Sequence, residues 1–97
     1  MIIELSIIPL GVGTSVSRLL APALRELKRR GVRYKITPMC TIFEAESLDE
    51  ALKVVRAAHE AVFKAGVGRV ITTIRIDDRR DLKRSMEEKV ESLLGLI

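Results

Sequence analysis

The sequence contains little cysteine and no apolar run long enough to cross a membrane. Its single cysteine, Cys40, excludes an intrachain disulfide and cannot by itself form a zinc site, so we expect a small buried filler in a reducing cytoplasm. The apolar segment from Ile2 to Ile8 is too short to span a bilayer and contains Glu4. No basic region precedes this segment, as a secretory signal requires, so no export and no membrane partner are expected.

Aromatic residues are also scarce: Tyr34, Phe43 and Phe63 are the whole set. RNA-binding sheets stack bases on exposed aromatic side chains, and periodicity places two of these three in or near the core. The formal net charge is +4, but the basic residues are interleaved with acidic ones. The segment 11–13 lacks the third glycine of a dinucleotide fingerprint, and no phosphate-cradling loop motif occurs. We therefore expect neither a nucleic-acid partner nor a nucleotide cofactor.

The composition is that of a folded protein. Apolar residues make up 47% of the 97 residues and charged residues 31%, which predicts a single domain covering residues 1–97. Because a domain of this size buries a limited share of its surface, association with identical copies is a plausible source of further stability.

Alternation of apolar and polar residues predicts four strands. The strands are expected at residues 2–8, 32–37, 39–46 and 69–77. Pro38 cannot donate a hydrogen bond to a sheet, so it marks the turn between the second and third strands.

Apolar residues at helical spacing predict three helices. The first begins near Ser15 or Ser17, with hydroxyl groups of residues 14, 15 and 17 as possible caps, and ends at Gly31. We expect a kink at Pro22, or a first turn that is not fully α-helical. The charged residues of this helix are expected to point mostly away from the core: Arg25, Glu26, Lys28 and Arg29.

The second helix is predicted from the capping box of Ser47 and Glu50 to Gly66. The third helix follows Asp81, a possible cap, and ends near Gly95. The resulting order, βαββαβα, predicts an α+β ferredoxin-like plait: a four-stranded antiparallel sheet with two helices on one face and an extra C-terminal helix.

The sheet face away from these two helices is predicted to be mixed in polarity. Assigning the apolar alternates to the helix side leaves on this open face Glu4, Ser6, Arg33, Lys35, Thr37, Ile71, Thr73 and Arg75, with Thr41 and Phe43 expected to join them. Glu4 and Arg75 would lie on adjacent strands, close enough to pair. Two interpretations remain open, a solvated face with a surface ion pair or a wet pocket at an interface.

Two further groups of polar residues could carry chemistry. The run from Asp77 to Asp81 could hold a metal ion or a phosphate, but its mixed charges favour ion pairing with a neighbouring subunit. His59 borders the apolar stripe of the second helix, which favours a partly buried, hydrogen-bonded histidine. No nucleophile and base occur together, so no catalytic residue is predicted.

Three stretches of the sequence resemble the thiamine-binding protein family, small proteins long described as uncharacterised. They are YKITPMCTIFEAES, AHEAVFKAGVGRVITTIRIDDRRD and MEEKVESL, and the resemblance spans nearly the whole chain. It implies a ferredoxin-like fold, dimers that pair into homotetramers through their sheets, and binding of thiamine or its pyrimidine by some members. No catalytic activity, cofactor or metal is implied. The sequence departs from the family pattern at Cys40 and Ala45, where glycine is common, and at Pro22.

The resemblance and the predicted sheet together suggest a ligand site made from the third strand and the start of the first helix. The residues expected nearest the ligand are Ser15, Ser17, Tyr34, Met39, Thr41 and Glu44, followed by Glu4, His59 and Arg75. The carboxylate of Glu44 and the hydroxyl of Thr41 could bond the amine and ring nitrogens of an aminopyrimidine. Two alternatives remain: a regulatory or structural self-association domain without thiamine binding, and a metal-dependent hydrolase built on Asp77 and Asp78.

Overall fold

The computed structural model describes residues 1–97, and its elements follow the predicted order βαββαβα. The strands are β1 (Ile2–Pro9), β2 (Tyr34–Ile36), β3 (Thr41–Glu44) and β4 (Val70–Asp77). The helices are α1 (Ser17–Arg29), α2 (Leu48–Lys64) and α3 (Met86–Leu94). None of the helices combines the length and the apolar content needed to cross a bilayer.

The strands form one sheet in the order β2-β3-β1-β4, with every neighbouring pair antiparallel. This topology confirms the α+β ferredoxin-like prediction. The core lies between one face of the sheet and the α1–α2 pair, and its largest fully buried side chains are Ile3, Leu27, Phe43, Val54 and Val62.

The structure corrects the predicted orientation of β3. Residues directly opposite each other in a sheet share a face, and here Phe43 lies opposite Ile3 and Thr41 lies opposite Leu5. Phe43 is 0% exposed and Thr41 is buried, so both face the helices and not the open side. The open face receives Ile42 and Glu44 instead. The predicted strand also begins too early, because residues 37–40 form a turn.

The helix ends agree with the sequence in part. Gly31 and Gly66 have φ values of +72° and +98°, which a side chain disfavours, and they follow α1 and α2 as predicted. The Ser47 hydroxyl accepts from the Glu50 amide at 3.1 Å, whereas the Glu50 carboxylate accepts from the Glu46 amide and not from Ser47. The predicted capping box of α2 is therefore only half formed.

The first helix differs from its prediction at its start. Its N-cap is Val16, and no side chain caps the helix, so the expected hydroxyl cap is wrong. The helix continues through Pro22, which lacks the amide hydrogen that would bond the Arg18 carbonyl one turn earlier.

The third helix is capped by Ser85 and not by Asp81. Ser85 and Glu88 form a complete capping box, with each side chain accepting from the backbone amide of the other residue. Met86 is buried, and it borders a shallow cleft on the open face together with Ile2 and Ile42. The helix therefore covers one end of the open face and leaves the rest of it uncovered.

Candidate functional site

A groove of about 690 Å³ lies between α1 and the hairpin formed by β2 and β3, and we call it the α1 groove. Small-molecule sites usually have volumes of about 300–1,000 Å³. Its walls are residues 5–8 of β1, Tyr34 and residues 36–41 of the hairpin, and the α1 residues Ser17, Leu20, Ala21, Ala23, Leu24, Arg25, Leu27 and Lys28. Most of these side chains are apolar, as is usual in sites for small organic molecules.

The groove exists because β1 extends beyond β3. The strand β1 pairs with β4 along its full length, from Ile2 to Pro9, but with β3 only as far as Leu5. Beyond Leu5, the hairpin turns away instead of continuing the ladder. Residues 6–8 of β1 therefore have a sheet neighbour on one side and the groove on the other.

This arrangement leaves the backbone of Ile7 without a partner in the chain. Met1 and Ala45 exchange both of their backbone hydrogen bonds, so the odd-numbered residues of β1 direct their amide and carbonyl groups toward β3. At Ile7 no strand lies opposite, and no backbone bond joins it to residues 37–40. One donor and one acceptor thus face the groove side by side.

The turn at the mouth of the groove is fixed by Thr37. Its hydroxyl donates to the Cys40 carbonyl at 2.8 Å and accepts from the Cys40 amide at 3.1 Å and the Met39 amide at 3.4 Å. Met39 stands at the tip of this turn with 86% of its surface exposed. Cys40 lines the groove and is only partly buried, so it is not the buried filler that the sequence predicted.

The charges along the groove are of one sign. Arg25 and Lys28 are the charged residues that line it, and both are positive. The sequence predicted that they point away from the core, and it gave them no role. No carboxylate lies within 4.0 Å of either side chain, whereas the nearby Arg29 pairs with Glu26 at 2.7 Å. Their spacing of three residues was the signal in the sequence, because such residues are neighbours on a helix surface.

Four of the predicted ligand residues line the α1 groove: Ser17, Tyr34, Met39 and Thr41. Ser15 lies in the exposed connection before α1 and is outside the lining. The other four, Glu4, Glu44, His59 and Arg75, lie elsewhere on the molecule. A ligand in the α1 groove of one chain would not reach them.

Glu44 lies on the open face in a cluster of charges. Its Oε1 is 3.2 Å from Nη1 of Arg33, without an aligned hydrogen bond, and Nη2 of the same guanidinium is 2.8 Å from Glu87 of α3. A hydrogen bond from its own backbone amide, together with Arg33, lowers the pKa of Glu87. Arg33 thus lies between Glu44 of the sheet and Glu87 of α3.

Glu4 and Arg75 are opposite each other on β1 and β4, as predicted. Their side chains approach to 3.9 Å, and the Arg75 side chain is 79% exposed. An exposed ion pair with its charged atoms this far apart contributes little to the stability of the fold.

His59 joins α2 to β4 and does not face the groove. Its Nδ1 is 2.6 Å from the Thr72 hydroxyl, and its ring lies 5.2 Å from the Phe63 ring in a tilted arrangement. The predicted partly buried, hydrogen-bonded histidine is confirmed, with a structural role between two elements.

The run from Asp77 to Asp81 pairs mostly with itself. Arg79 donates two hydrogen bonds to Asp81, Arg80 donates two to Asp78, and Asp77 pairs with Lys89 of α3. The hydrogen bonds from Arg80 and Arg79 lower the pKa values of Asp78 and Asp81, respectively. No three His, Cys, Asp or Glu side chains of the chain come together as a metal site would require.

Comparison with known sequences identifies relatives along nearly the whole chain. The model of the family described as "Thiamine-binding protein" matches residues 3–94. A UPF0045 protein of Methanothermobacter thermautotrophicus is 54% identical over 91 residues, which is 93% of this chain and 92% of the relative. The UPF0045 protein YqgV of Bacillus subtilis is 43% identical over 97 residues, covering 95% of this chain and 92% of the relative.

Solved structures share the fold. The hypothetical protein MJ1052 of Methanocaldococcus jannaschii has a TM-score of 0.87 and 36% identity, covering 95% of this chain and 93% of that one. A putative thiamine biosynthesis/salvage protein of Thermotoga maritima has a TM-score of 0.80 and 18% identity, covering 95% of this chain and 96% of that one. At this level of identity the match shows likeness of fold alone. With the family model matching residues 3–94, the chain belongs to the thiamine-binding protein family.

Proposed function

We propose that this chain binds thiamine or a thiamine-related pyrimidine in the α1 groove and performs no chemistry on it. Membership of the thiamine-binding protein family supports this ligand class. The free thiol of Cys40 at the groove suits a reducing cytoplasm as the place of action.

The observation that carries the proposal is the unpaired backbone of Ile7. An aminopyrimidine presents an amine donor beside a ring-nitrogen acceptor, and an extended residue presents a carbonyl and an amide on the same side. The carbonyl of Ile7 would accept from the amine while its amide donates to the ring nitrogen. Tyr34, Met39 and the α1 leucines would enclose the ring, with the hydroxyls of Ser17 and Thr41 beside it. The carbonyl thus replaces the Glu44 carboxylate that the sequence suggested as the partner of the amine.

Isothermal titration calorimetry with thiamine's aminopyrimidine alcohol and with its analogue lacking the amine tests this proposal. We expect the amine-bearing compound to bind at least about tenfold more tightly, because the analogue leaves the Ile7 carbonyl without a donor. A protein that gives neither heat nor a shift in melting temperature with thiamine or the aminopyrimidine alcohol at millimolar concentration would refute it.

We also propose that the chain forms a homotetramer, as a dimer of dimers, through the open face of the sheet. Ile8 and Ile71 lie opposite each other on this face and are 51% and 47% exposed. Apolar side chains paired in this way gain free energy when a second copy covers them. This patch equally supports the second candidate function, a self-association domain without thiamine, which predicts assembly with no ligand binding.

Light scattering coupled to size exclusion checks the assembly. The wild type is expected at the mass of four chains, and Ile71→Glu at the mass of two chains or one, because the change places an unpaired charge in the interface. The control Leu52→Glu alters a comparably exposed side chain, 44% exposed, on the other side of the molecule. A wild type that remains a single chain would disprove this assembly.

A further inference from the structure

We infer that the ligand of the α1 groove carries a phosphate group, which Arg25 and Lys28 bind. The inference rests on the proposed function, since it concerns the same groove, and it selects a phosphorylated aminopyrimidine over free thiamine. The chemistry that it requires is a flat polar ring at one part of the ligand and an anion at another.

The charge distribution of the groove is the main argument. Its lining contains Arg25 and Lys28 but no aspartate or glutamate, although the chain has 13 acidic residues. Free thiamine has a permanently positive thiazolium ring, which would find no counter-charge here and two like charges. A phosphate ester reverses this situation, because it brings negative charge to cations that have no partner of their own.

The two side chains suit phosphate in their geometry as well as in their sign. They are three residues apart on α1, so they are neighbours on one helix face. An arginine can donate two parallel hydrogen bonds to phosphate oxygens, and a lysine adds a mobile point charge. Neither side chain must first give up an ion pair with a carboxylate.

The groove also separates the place for a ring from the place for an anion. The helix α1 runs antiparallel to β1, so Ser17 lies at the end of the groove near Ile7 and the turn of residues 37–40. Arg25 lies eight residues further along α1, about 12 Å along the helix axis. The ring would therefore sit at the Ile7 end while the phosphate points toward Arg25 and Lys28.

Calorimetric titrations of the full chain with matched ligands test the inference. The probes are the aminopyrimidine alcohol, its phosphate ester, thiamine, thiamine monophosphate and inorganic phosphate. We expect each ester to bind at least about tenfold more tightly than its alcohol, since hydrogen bonds to a charged group are the stronger ones. In the double variant R25Q/K28Q, the ester-to-alcohol affinity ratio should fall to about two or less.

The double variant R18Q/K53Q is the matched control, because it removes the same net charge from exposed residues outside the groove. It should keep the full ester-to-alcohol ratio. Equal affinity for ester and alcohol, an equal loss of the ratio in both double variants, or inorganic phosphate binding as tightly as the esters would each overturn the inference. Binding of the alcohols alone would leave the proposed function standing, whereas no binding of any organic probe would overturn both.

Discussion

Phe43→Ala is expected to lower the free energy of unfolding by about 3–5 kcal/mol, the usual cost of truncating a fully buried aromatic side chain. Phe43 is 0% exposed, lies opposite Ile3 in the sheet and belongs to the core between the sheet and the helices. The lost contacts would leave a cavity that the surrounding helices fill only in part. Equilibrium unfolding in urea, followed by circular dichroism, measures the change.

The matched control for this variant is Phe63→Ala. Phe63 lies on α2 and is 37% exposed. The substitution Phe63→Ala removes the same number of atoms as Phe43→Ala, but from a less buried side chain, so it should lower the free energy of unfolding clearly less. If the two variants lost equal stability, or if Phe43→Ala cost less than about 1 kcal/mol, Phe43 would lie on the open face after all.

Ala21→Phe is expected to weaken binding of the pyrimidine ligand by about 100-fold or more, equivalent to roughly 2.7 kcal/mol. Ala21 lies on the α1 face that lines the groove, so the added ring occupies the volume that the ligand needs. Calorimetry measures the affinity, and the melting temperature shows that the variant still folds.

Ala65→Phe provides the control for this experiment, because Ala65 is exposed at the end of α2 and is not part of the groove. Undiminished binding by Ala21→Phe would locate the ligand elsewhere. The open face would then become the site to examine, because it holds Glu44, a first choice of the sequence analysis, and Glu4 and Arg75, which were second choices.

The sequence predicted the elements well because their signals are local. Apolar spacing in α1 and α2 and alternation in β1 and β4 each depend on residues within one element, and the observed bounds agree closely. Family membership was likewise predicted from short stretches and is confirmed by the match over residues 3–94. The capping box of α3, Ser85 with Glu88, was equally local and was overlooked beside Asp81.

The errors concern features that depend on partners distant in the sequence. In β3, Ile42 and Phe43 are adjacent apolar residues, so a strand of this length does not reveal which of them faces the helices. The pairing of β3 with β1 decides which residue faces the helices, because this pairing places Phe43 opposite the buried Ile3. The hydroxyl of Thr37 bonds the backbone of Cys40 and so holds residues 37–40 in a turn, which delays the start of β3. The hydrophobic pattern of the sequence contains no sign of these hydrogen bonds.

The sequence by itself determined which segments become strands and helices, their order, and therefore the plait, because those properties follow from local periodicity and from the few topologies that it permits. The tertiary structure alone decided where the groove of the proposed ligand site forms. The α1 groove arises from the unequal lengths over which β1 pairs with its two neighbours. The same packing places the exposed Arg25 and Lys28 along that groove and Glu44 on the open face, and only the assembled sheet fixes such relations between distant residues.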